Sequence, residues 1–551
     1  MRQRLPMWAS GAAVAGALAV LVAWSFAQRW QLLSASPFPL GVDGYFYPVE
    51  LRALLERGEL AYPASPLAFY LLAPLAAATD PITGAKLGAA LWGAAIALPA
   101  YGVGARLGGG RGAGLVAAVL ATTSVGSAYL TIEFVKNGIG LTVALGALWL
   151  ALAAADRPTR ARVAAALAGL VAAWAAHKMA AAIVVVVAVP AAIATAAARG
   201  RLRGRRLIYL LVALALGCAL ALGLAAAFPH RFLSVDDVRL ARGLVSPTPH
   251  WAAPALVLPT GELAIGHDAL IGLGLALAAI AAHLVHRRIA AGPVKSQAAA
   301  PPARRASTAP GGASPGIDPS APTASRSPAH AAGSIPDATP SPDPVAASFL
   351  PVAAWPILGL AIAIGLPFLA VTDRDGLGFR LRIAAFVPAA LCAALLVRTV
   401  LGAAAAVARR SHAVESAAHP VLGALGRPVQ RDLVLAAVAL GLAVLRQPGA
   451  WLDGEIVTHP ALVSAAQALR GHVPPGATLI VPERHIAFLV AWYTGAPIAI
   501  RPDGVAPVIP PLGVHPRHPN GLVLVAEPTW TWVLDQLPAA DRARVAAWPT
   551  I

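Results

Sequence analysis

The chain has 551 residues, of which 58% are hydrophobic and only 12% are charged. Such a composition is too apolar for a single soluble core and indicates that most of the chain lies in lipid. Lys and Arg exceed Asp and Glu by 17 (42 against 25), but the arginines gather between apolar runs, which favours cytoplasmic loop charge over nucleic-acid binding.

About eleven apolar runs have the character of transmembrane helices. In chain order they cover residues 7–27, 84–105, 112–130, 137–155, 163–176, 179–198, 207–228, 268–284, 347–371, 383–407 and 433–445. The first run follows a basic start, as in a signal peptide, but it is long enough to span and lacks a clear cleavage site, so we interpret it as a retained helix. Cys218 and Cys392 lie inside apolar runs and do not indicate a disulfide or a metal site.

The distribution of basic residues predicts the orientation. An inner N-terminus puts the arginine-rich connections in the cytoplasm, as the positive-inside bias requires. They contain Arg106, Arg111, Arg157, Arg160, Arg162, Arg199, Arg201, Arg203, Arg205, Arg206, Arg287, Arg288, Lys295, Arg304, Arg305, Arg409, Arg410, Arg427 and Arg431. The protein is then a multi-pass protein of the cytoplasmic membrane, with the connections that contain Asp43, residues 133–136, 177–178, 229–262 and 373–382 outside.

Four parts follow from these patterns. Residues 1–290 form a transmembrane module whose first outer loop, residues 28–83, contains two short interfacial helices. Residues 291–346, rich in Ala, Pro, Ser and Gly, form a disordered cytoplasmic loop. Residues 347–446 return to transmembrane helices. Residues 447–551 alternate strand-like stretches (TLIVP, PIAIRP, GLVLVAE) with helix-like ones, which predicts a small extracytoplasmic α/β domain without a nucleotide-binding loop.

The stretch PLGVDGYFYPVE opens the first outer loop and holds Asp43, Tyr45 and Tyr47. Asp43 could simply shape a turn beside its glycine. Alternatively it is a general base, a partly desolvated carboxylate that accepts a proton from a hydroxyl or amine nucleophile. The tyrosines could contact a substrate or belong to the interfacial aromatic belt.

Polar residues interrupt the apolar runs at two further outer turns. In TIEFVKNGIGL, Glu133 and Asn137 are one helical turn apart with Lys136 between them, so they could hold a sugar hydroxyl, a cation or each other, or merely cap a helix. His177 and Lys178 stand between two spans, where a membrane penalises both, although a tight outer turn would also explain them.

Five outer basic residues are candidates for binding an anionic headgroup: Lys86, Lys136, Lys178, Arg380 and Arg382. Arginine forks suit phosphate oxygens, whereas the alternative for each residue is anchoring at the interface. Convergence of several on one face would favour a lipid phosphate. Asp373 and Asp375 form a weak DxD pattern, and the Asp236–Asp237 pair is more typical of a solvated surface.

Four stretches follow one another in the N-terminal part of the chain: GVDGYFYP, LLERGELAYPASPLAFYLLAPL, GAKLGAALWGAAIALPAYGVGARL and RGAGLVAAVLATTS. Their order resembles that in GT-C integral-membrane glycosyltransferases of the protein O-mannosyltransferase and aminoarabinose-transferase types. The resemblance covers roughly residues 7–198. It implies an enzyme that transfers a sugar from a polyprenyl-phosphate carrier to a glycan, lipid or protein acceptor on the outer face.

The resemblance also implies roles for particular residues. Asp43 occupies the place of the family's essential acid. The second family acid aligns closest with Asn137, with Glu133 one turn earlier, and Ala64-Ser65-Pro66 replaces the Lys-Pro-Pro signature. The phosphate would then depend on Arg380 or Arg382, assisted by Lys86 or Lys136.

One base without a nucleophilic carboxylate implies inversion at the anomeric carbon. The sequence identifies no cofactor, and a divalent metal stays open if Asp43 and Glu133 approach each other. Two other functions stay open as well. A transporter or flippase of lipid-linked saccharides should show internal repeats and helices broken at mid-membrane, and a non-catalytic scaffold would keep the fold without the chemistry.

Overall fold

The computed structural model of the chain describes residues 7–200 except 42 and 63, then 265–291, 350–370, 376–410, 428–445, 460–481, 484–498 and 522–524, with isolated positions between 208 and 246. Several predictions fall outside these residues: almost all of the span at 207–228, the loop at 229–262 with its Asp236–Asp237 pair, the Ala/Pro/Ser-rich segment after residue 291, and the DxD pattern of Asp373 and Asp375.

Ten helices make up the first 200 residues. They are α1 (Met7–Ser34), α2 (Phe46–Arg57), α3 (Leu67–Ala78), α4 (Pro81–Ala95), α5 (Ala97–Gly108), α6 (Arg111–Thr122), α7 (Val125–Ile132), α8 (Val135–Asp156), α9 (Arg160–Ala176) and α10 (Lys178–Ala198). The short pair α2 and α3 corresponds to the two helices predicted in the first outer loop. They pack on each other and on α4 through a buried cluster that includes Leu51, Phe69 and Leu72.

The remaining elements are α11 (Ile265–Ala291), a 3-10 turn (Val352–Ala354), α12 (Trp355–Gly365), α13 (Leu377–Ile383), α14 (Phe386–Arg410), α15 (Pro428–Leu445), α16 (Pro460–Leu469), β1 (Thr478–Ile480), α17 (Arg484–Thr494) and β2 (Leu522–Leu524). The two strands pair in parallel with Leu479 opposite Val523, and Leu479 also bridges Ile498. Of the predicted strand-like stretches, TLIVP and GLVLVAE contain β1 and β2, whereas PIAIRP contributes only the bridge at Ile498, and the small α/β domain stays a prediction.

Six helical segments of the described residues are long and apolar enough to cross a membrane, and one of them consists of α4 and α5 together. They are Gly11–Ser34, Pro81–Gly108, Val135–Asp156, Lys178–Ala198, Gly266–Ile289 and Phe386–Ala404. The runs predicted at 163–176, 347–371 and 433–445 also form helices, but these are not among the six. The chain is therefore a helical membrane protein, while the predicted number of eleven spans stays a prediction.

The run predicted at 112–130 consists of two helices, α6 and α7, bent by 48° relative to each other, and the pair counts as a seventh candidate span if it is one broken span. The residues at the bend, Thr122-Thr123-Ser124, have side chains that compete for backbone hydrogen bonds. The Thr122 and Thr123 hydroxyls donate to the carbonyls of Ala118 and Val119, at 2.7 Å each. Ser124 then starts α7 anew, because its Oγ accepts from the Ser127 N–H at 3.1 Å.

Helix α8 lies against α4, α5, α9 and α10, and its two ends differ in charge. At the C-terminal end, Asp156 pairs with Arg106 of α5 and, at 3.1 Å, with Arg199 after α10. Arg199 also donates to the carbonyl of Ala155 at 2.8 Å. These contacts hold three helix ends together and leave the opposite end of α8 for the residues of the first loop.

Helix α17 packs on α2 and joins the C-terminal residues to the first loop. The Arg52 guanidinium lies 4.4 Å from the centroid of the Trp492 ring and donates to the carbonyls of Trp492 (2.9 Å) and Ala491 (3.3 Å). Those carbonyls belong to the last turn of α17, where a cation is favoured by the helix dipole. The rings of Phe46 and Phe488 also pack between α2 and α17, tilted by 57° with centroids 4.9 Å apart.

Replacing Arg52 by Ala should loosen this contact by about 2 kcal/mol, since charged hydrogen bonds and a cation–π contact are lost together. We expect limited proteolysis of the purified protein to cleave C-terminal of α15 roughly 30-fold faster. Arg57→Ala, on the same helix but exposed, is the matched control and should leave the rate unchanged. Equal cleavage of the two variants would contradict a role of Arg52 in docking α17.

Candidate functional site

The connection between α1 and α2 lies against the turn between α7 and α8. Gly41 has a φ of +85°, and a Cβ added there would lie 2.5 Å from the Ile132 carbonyl oxygen and 3.2 Å from the Glu133 Cα. Both the left-handed backbone and the close approach require glycine at this position. As a result, the loop that contains Asp43 lies next to the backbone of Glu133.

Tyr47 connects this loop to the start of α8. Its side chain is buried, with 4% exposed, and its hydroxyl accepts a hydrogen bond from the Lys136 N–H at 3.2 Å. Burial, followed by the negative charge of Asp43 and then that of Glu133, raises the pKa of Tyr47. The two predicted acids therefore lie close to one phenol, and Tyr47 stays protonated between them.

Helix α8 begins in the same place without a side-chain cap, because Phe134 precedes it. An uncapped helix start presents N–H groups and the positive end of the helix dipole, a favourable place for an anion. Tyr47 accepts one of these N–H groups. The Lys136 ammonium itself lies 5.6 Å from the centroid of the Phe46 ring.

Three basic side chains lie near enough to His177, at the turn between α9 and α10, to influence its charge. Burial first, and then the positive charges of Lys136, Arg380 and Lys178, lower the pKa of His177 well below its ordinary value. The imidazole is 6% exposed, and its Nδ1 has no hydrogen-bond partner among the described residues. A buried, neutral imidazole with an open nitrogen can bind a polar group of a ligand.

The charged cluster is thus formed by Asp43, Glu133, Lys136, His177, Lys178 and Arg380, and Tyr47 lies near its two acids. Lys136 is in the first turn of α8, Lys178 is the first residue of α10, and His177 directly precedes it. Arg380 lies in the short helix α13, which precedes α14. This brings together residues that the sequence separates by up to several hundred positions. The structure contains the predicted carboxylates and most of the predicted cations in one region.

Other predicted residues have contacts elsewhere. Tyr45 is buried, and its hydroxyl lies 3.2 Å from that of Tyr493 in α17. Lys86 donates to the Ser36 carbonyl at 2.5 Å. Arg382, 4% exposed, donates to the Leu366 carbonyl at the end of α12, at 3.4 Å.

Asn137 is buried in the first turn of α8, where its backbone N–H bonds to the Phe134 carbonyl at 2.8 Å. No hydrogen bond joins its side-chain amide to another described residue. The amide therefore lies beside Lys136 without a fixed role in holding the helix.

Glu50 is a charged residue of this region that the sequence reasoning missed. Its side chain is fully buried, with 0% exposed, and its two oxygens accept from the N–H groups of Ala61 (2.7 Å) and Tyr62 (3.0 Å). It thereby closes the loop that follows α2. Burial raises the pKa of Glu50 to about 7 in spite of these donors. An acid in the middle of an amphipathic helix looks solvent-exposed, so the sequence offered no signal.

Glu50 should make stability depend on pH. Its pKa is about 7 in the folded protein against 4.5 ordinarily, so between these values the folded state binds a proton that the unfolded state has lost. The contribution of Glu50 to stability should therefore fall as pH rises from about 4.5 to about 7 and stay level above that range. Thermal unfolding of the protein and of Glu50→Gln across this range measures it, and the variant should lack this decline. Parallel curves for the two proteins would contradict the assignment.

The described residues contain no group of three or more His, Cys, Asp or Glu side chains that could hold a metal ion. Asp43 and Glu133 supply only two carboxylates, and Tyr47 lies near both. The chemistry that the described cluster itself offers is proton acceptance beside a set of cations.

An apolar cavity of about 20 Å³ lies between four helices, deeper among the apolar segments than the cluster. Helices α8, α10, α12 and α14 line it with Leu141, Ala144, Leu145, Leu148, Ile183, Val184, Val187, Ile357, Leu360, Val387, Pro388 and Leu391. Leu141 is five residues beyond Lys136, and Ile183 is five residues beyond Lys178. At 1.5 Å per residue the cavity begins roughly 8 Å along each helix from the cluster.

No model of a known protein family matches this chain, and no curated protein matches it. The class is therefore defined by the structure alone: a helical membrane protein in which a charged cluster lies where several apolar helices begin.

Proposed function

We propose that the protein is a glycosyltransferase that transfers a sugar from a polyprenyl-phosphate carrier to an acceptor at the outer face of the cytoplasmic membrane. The observation that carries this proposal is the placement of Asp43 and Glu133 beside Lys136, Lys178 and Arg380 around the uncapped start of α8. A base and an anion-binding site next to each other are what displacement of a phosphate leaving group requires.

In this mechanism Asp43 accepts the proton of the acceptor hydroxyl or amine while the acceptor attacks the anomeric carbon. The bond from that carbon to the phosphate oxygen breaks, and the departing polyprenyl phosphate carries the electron pair. Lys136, Lys178 and Arg380 offset its charge, and the open Nδ1 of His177 accepts from a hydroxyl of the substrate. A single displacement inverts the configuration at the anomeric carbon.

The apolar cavity supports a lipid-linked donor. It lies between α8 and α10. Lys136 is in the first turn of α8, and His177 directly precedes α10. A lipid whose phosphate binds at the cluster would direct its isoprenoid chain along these helices. At about 20 Å³ the cavity holds only part of an isoprenoid unit, so binding would include movement of side chains such as Leu145.

The test is a transfer assay with the full chain in lipid nanodiscs and a panel of radiolabelled polyprenyl-phosphate sugars. We expect one donor to release polyprenyl phosphate and label an acceptor, and the labelled product to have inverted anomeric configuration. Donor binding that leads to no bond cleavage with any acceptor class, glycan, lipid or peptide, would overturn the proposal.

A second candidate, a transporter of lipid-linked saccharides, is favoured by the bend between α6 and α7. Helices broken within the membrane are typical of transporter binding sites, and α6 alone would extend roughly 18 Å before the bend. Vesicles containing the protein would distinguish the two: movement of a labelled lipid-linked sugar across the bilayer without covalent transfer supports the transporter and contradicts the transferase.

A further inference from the structure

Arg29, near the C-terminal end of α1, is buried beside the bend, with 5% exposed. All three of its nitrogens donate hydrogen bonds to uncharged oxygens. Nε donates to Thr131 Oγ1 (3.1 Å), Nη1 to Ser25 Oγ and to the Ser25 carbonyl (3.4 Å), and Nη2 to Ser127 Oγ (2.8 Å) and to the Thr122 carbonyl (2.8 Å). Within the described residues the guanidinium forms no ion pair.

A charged side chain among apolar helices costs several kcal/mol unless something offsets it. Here the offset is the C-terminal end of α6, since Thr122 is its last residue. The bend leaves carbonyls there without helical partners, and the negative end of the helix dipole favours a cation. Arg29 supplies both the donor and the positive charge.

Asp268 of α11 places a negative charge at the other side of the bend, at the N-terminal end of α7. It is 2% exposed, and its Oδ2 accepts from the Gly126 N–H at 2.9 Å. Gly126 lies in the first turn of α7, where the positive end of the dipole favours a carboxylate. Each half of the bent span therefore meets an opposite charge from a different helix.

Gly93 of α4 provides the space for Arg29. A Cβ at this position would lie 2.7 Å from both Arg29 Nε and Thr131 Oγ1, closer than side-chain atoms approach. Glycine is needed here for close packing and not for its backbone angles. The position offers a way to disturb the guanidinium without removing any charge.

We propose that Arg29 and Asp268 are positioning residues, which hold the bend between α6 and α7 through charges matched to the two helix ends and thereby set where Glu133 and the first turn of α8 lie. Glu133 directly follows the eight residues of α7, which extend roughly 12 Å. A change of about 10° at the bend would move Glu133 by roughly 2 Å, enough to disturb a reaction. This consequence for catalysis rests on the proposed function, whereas the role in holding the bend does not.

Hydrogen–deuterium exchange of the full chain in nanodiscs tests the role directly. In Arg29→Met and in Gly93→Ala we expect residues 122–134 to exchange at least about tenfold faster, while α8 beyond Leu141 and α14 keep their protection. Asp268→Asn should show a smaller increase over the same residues, because the amide oxygen still accepts from Gly126. Arg29→Lys should restore part of the protection through its charge.

Arg398→Met is the matched control, since Arg398 also donates to a carbonyl at a helix end, that of Leu107 in α5, at 2.9 Å. Its loss should leave residues 122–134 unchanged. If Arg29→Met and Gly93→Ala both left their exchange unchanged, or raised it equally throughout the chain, the inference would be overturned. Where the transfer assay shows activity, the same two variants should lower kcat with little change in the donor KM. An absence of transfer in the unaltered protein would count against the proposed function and leave the exchange result standing.

Discussion

Asp43→Asn is expected to lower the rate of sugar transfer by about 10²- to 10⁴-fold, the usual contribution of a general base. The amide keeps the size and most of the hydrogen-bonding capacity of the carboxylate but cannot accept the proton of the acceptor. Asp43 is half-buried beside Glu133 and Tyr47, so the substitution removes a charge without opening a cavity. The measurement is single-turnover transfer in nanodiscs, with insertion checked by gel filtration and thermal unfolding.

Asp80→Asn is the control for this prediction. Asp80 is an exposed acid of the same N-terminal region, whose Oδ1 accepts from the N–H groups of Ile82 (2.9 Å) and Thr83 (3.0 Å) at the start of α4. Its replacement should keep the helix cap, because Asn caps a helix about as well as Asp, and should leave transfer unchanged. Normal transfer by Asp43→Asn, or an equal loss in both variants, would remove Asp43 from the role of base.

Lys136→Met is expected to weaken binding of the lipid-phosphate donor by roughly 10- to 150-fold, since a hydrogen bond to a charged group contributes about 1.5–3 kcal/mol. The effect should appear in the KM for the donor and in the affinity for polyprenyl phosphate alone. The methionine retains the length of the side chain, and the backbone N–H that Tyr47 accepts is unchanged. A loss of binding would therefore be caused by removal of the ammonium charge and not by a disturbed start of α8.

Arg57→Met serves as the control for charge, because Arg57 is an exposed cation at the end of α2 and its loss lowers the net charge equally. Titration with polyprenyl phosphate in nanodiscs compares the two variants. Binding that falls equally in both would indicate general attraction between a basic protein and an anionic lipid. Unchanged binding in Lys136→Met would remove this lysine from the phosphate site.

The helices were largely predictable, because hydrophobic runs of sufficient length form helices in lipid whatever their partners. Apart from 207–228, the predicted runs lie on described helices, although the runs at 84–105 and 112–130 are each divided between two helices and α12 covers only part of the run at 347–371. The bend in the run at 112–130 was not foreseen. The Thr122 and Thr123 hydroxyls bond to backbone carbonyls in the last turn of α6, and Arg29 donates to the Thr122 carbonyl, and these contacts exist only in the folded chain.

The sequence predicted which residues are candidates for the site, but not which of them lie together in the folded chain. Asp43, Glu133, Lys136, His177, Lys178 and Arg380 were each selected as polar groups at the ends of apolar runs. Tyr45 looked equivalent to Tyr47, but Tyr45 directly precedes α2 and its side chain contacts a different part of the protein from that of Tyr47. One lies against Tyr493 of α17 and the other against the start of α8. Arg380 and Arg382 are two residues apart on the short helix α13, and their side chains likewise have different neighbours. Arg380 lies near His177, whereas Arg382 donates to the Leu366 carbonyl.

The sequence by itself determined that this is a helical membrane protein, since hydrophobicity and run length depend on no distant contact. It also determined which polar residues stand at the ends of those runs. Only the tertiary structure decided which of them meet, because the meeting depends on how Gly41 lets the first loop contact Glu133 and on how the α6–α7 bend directs α7. Glu50 and Arg29 belong to the same category: a single charge acquires its role only from the backbone groups that surround it in the folded chain.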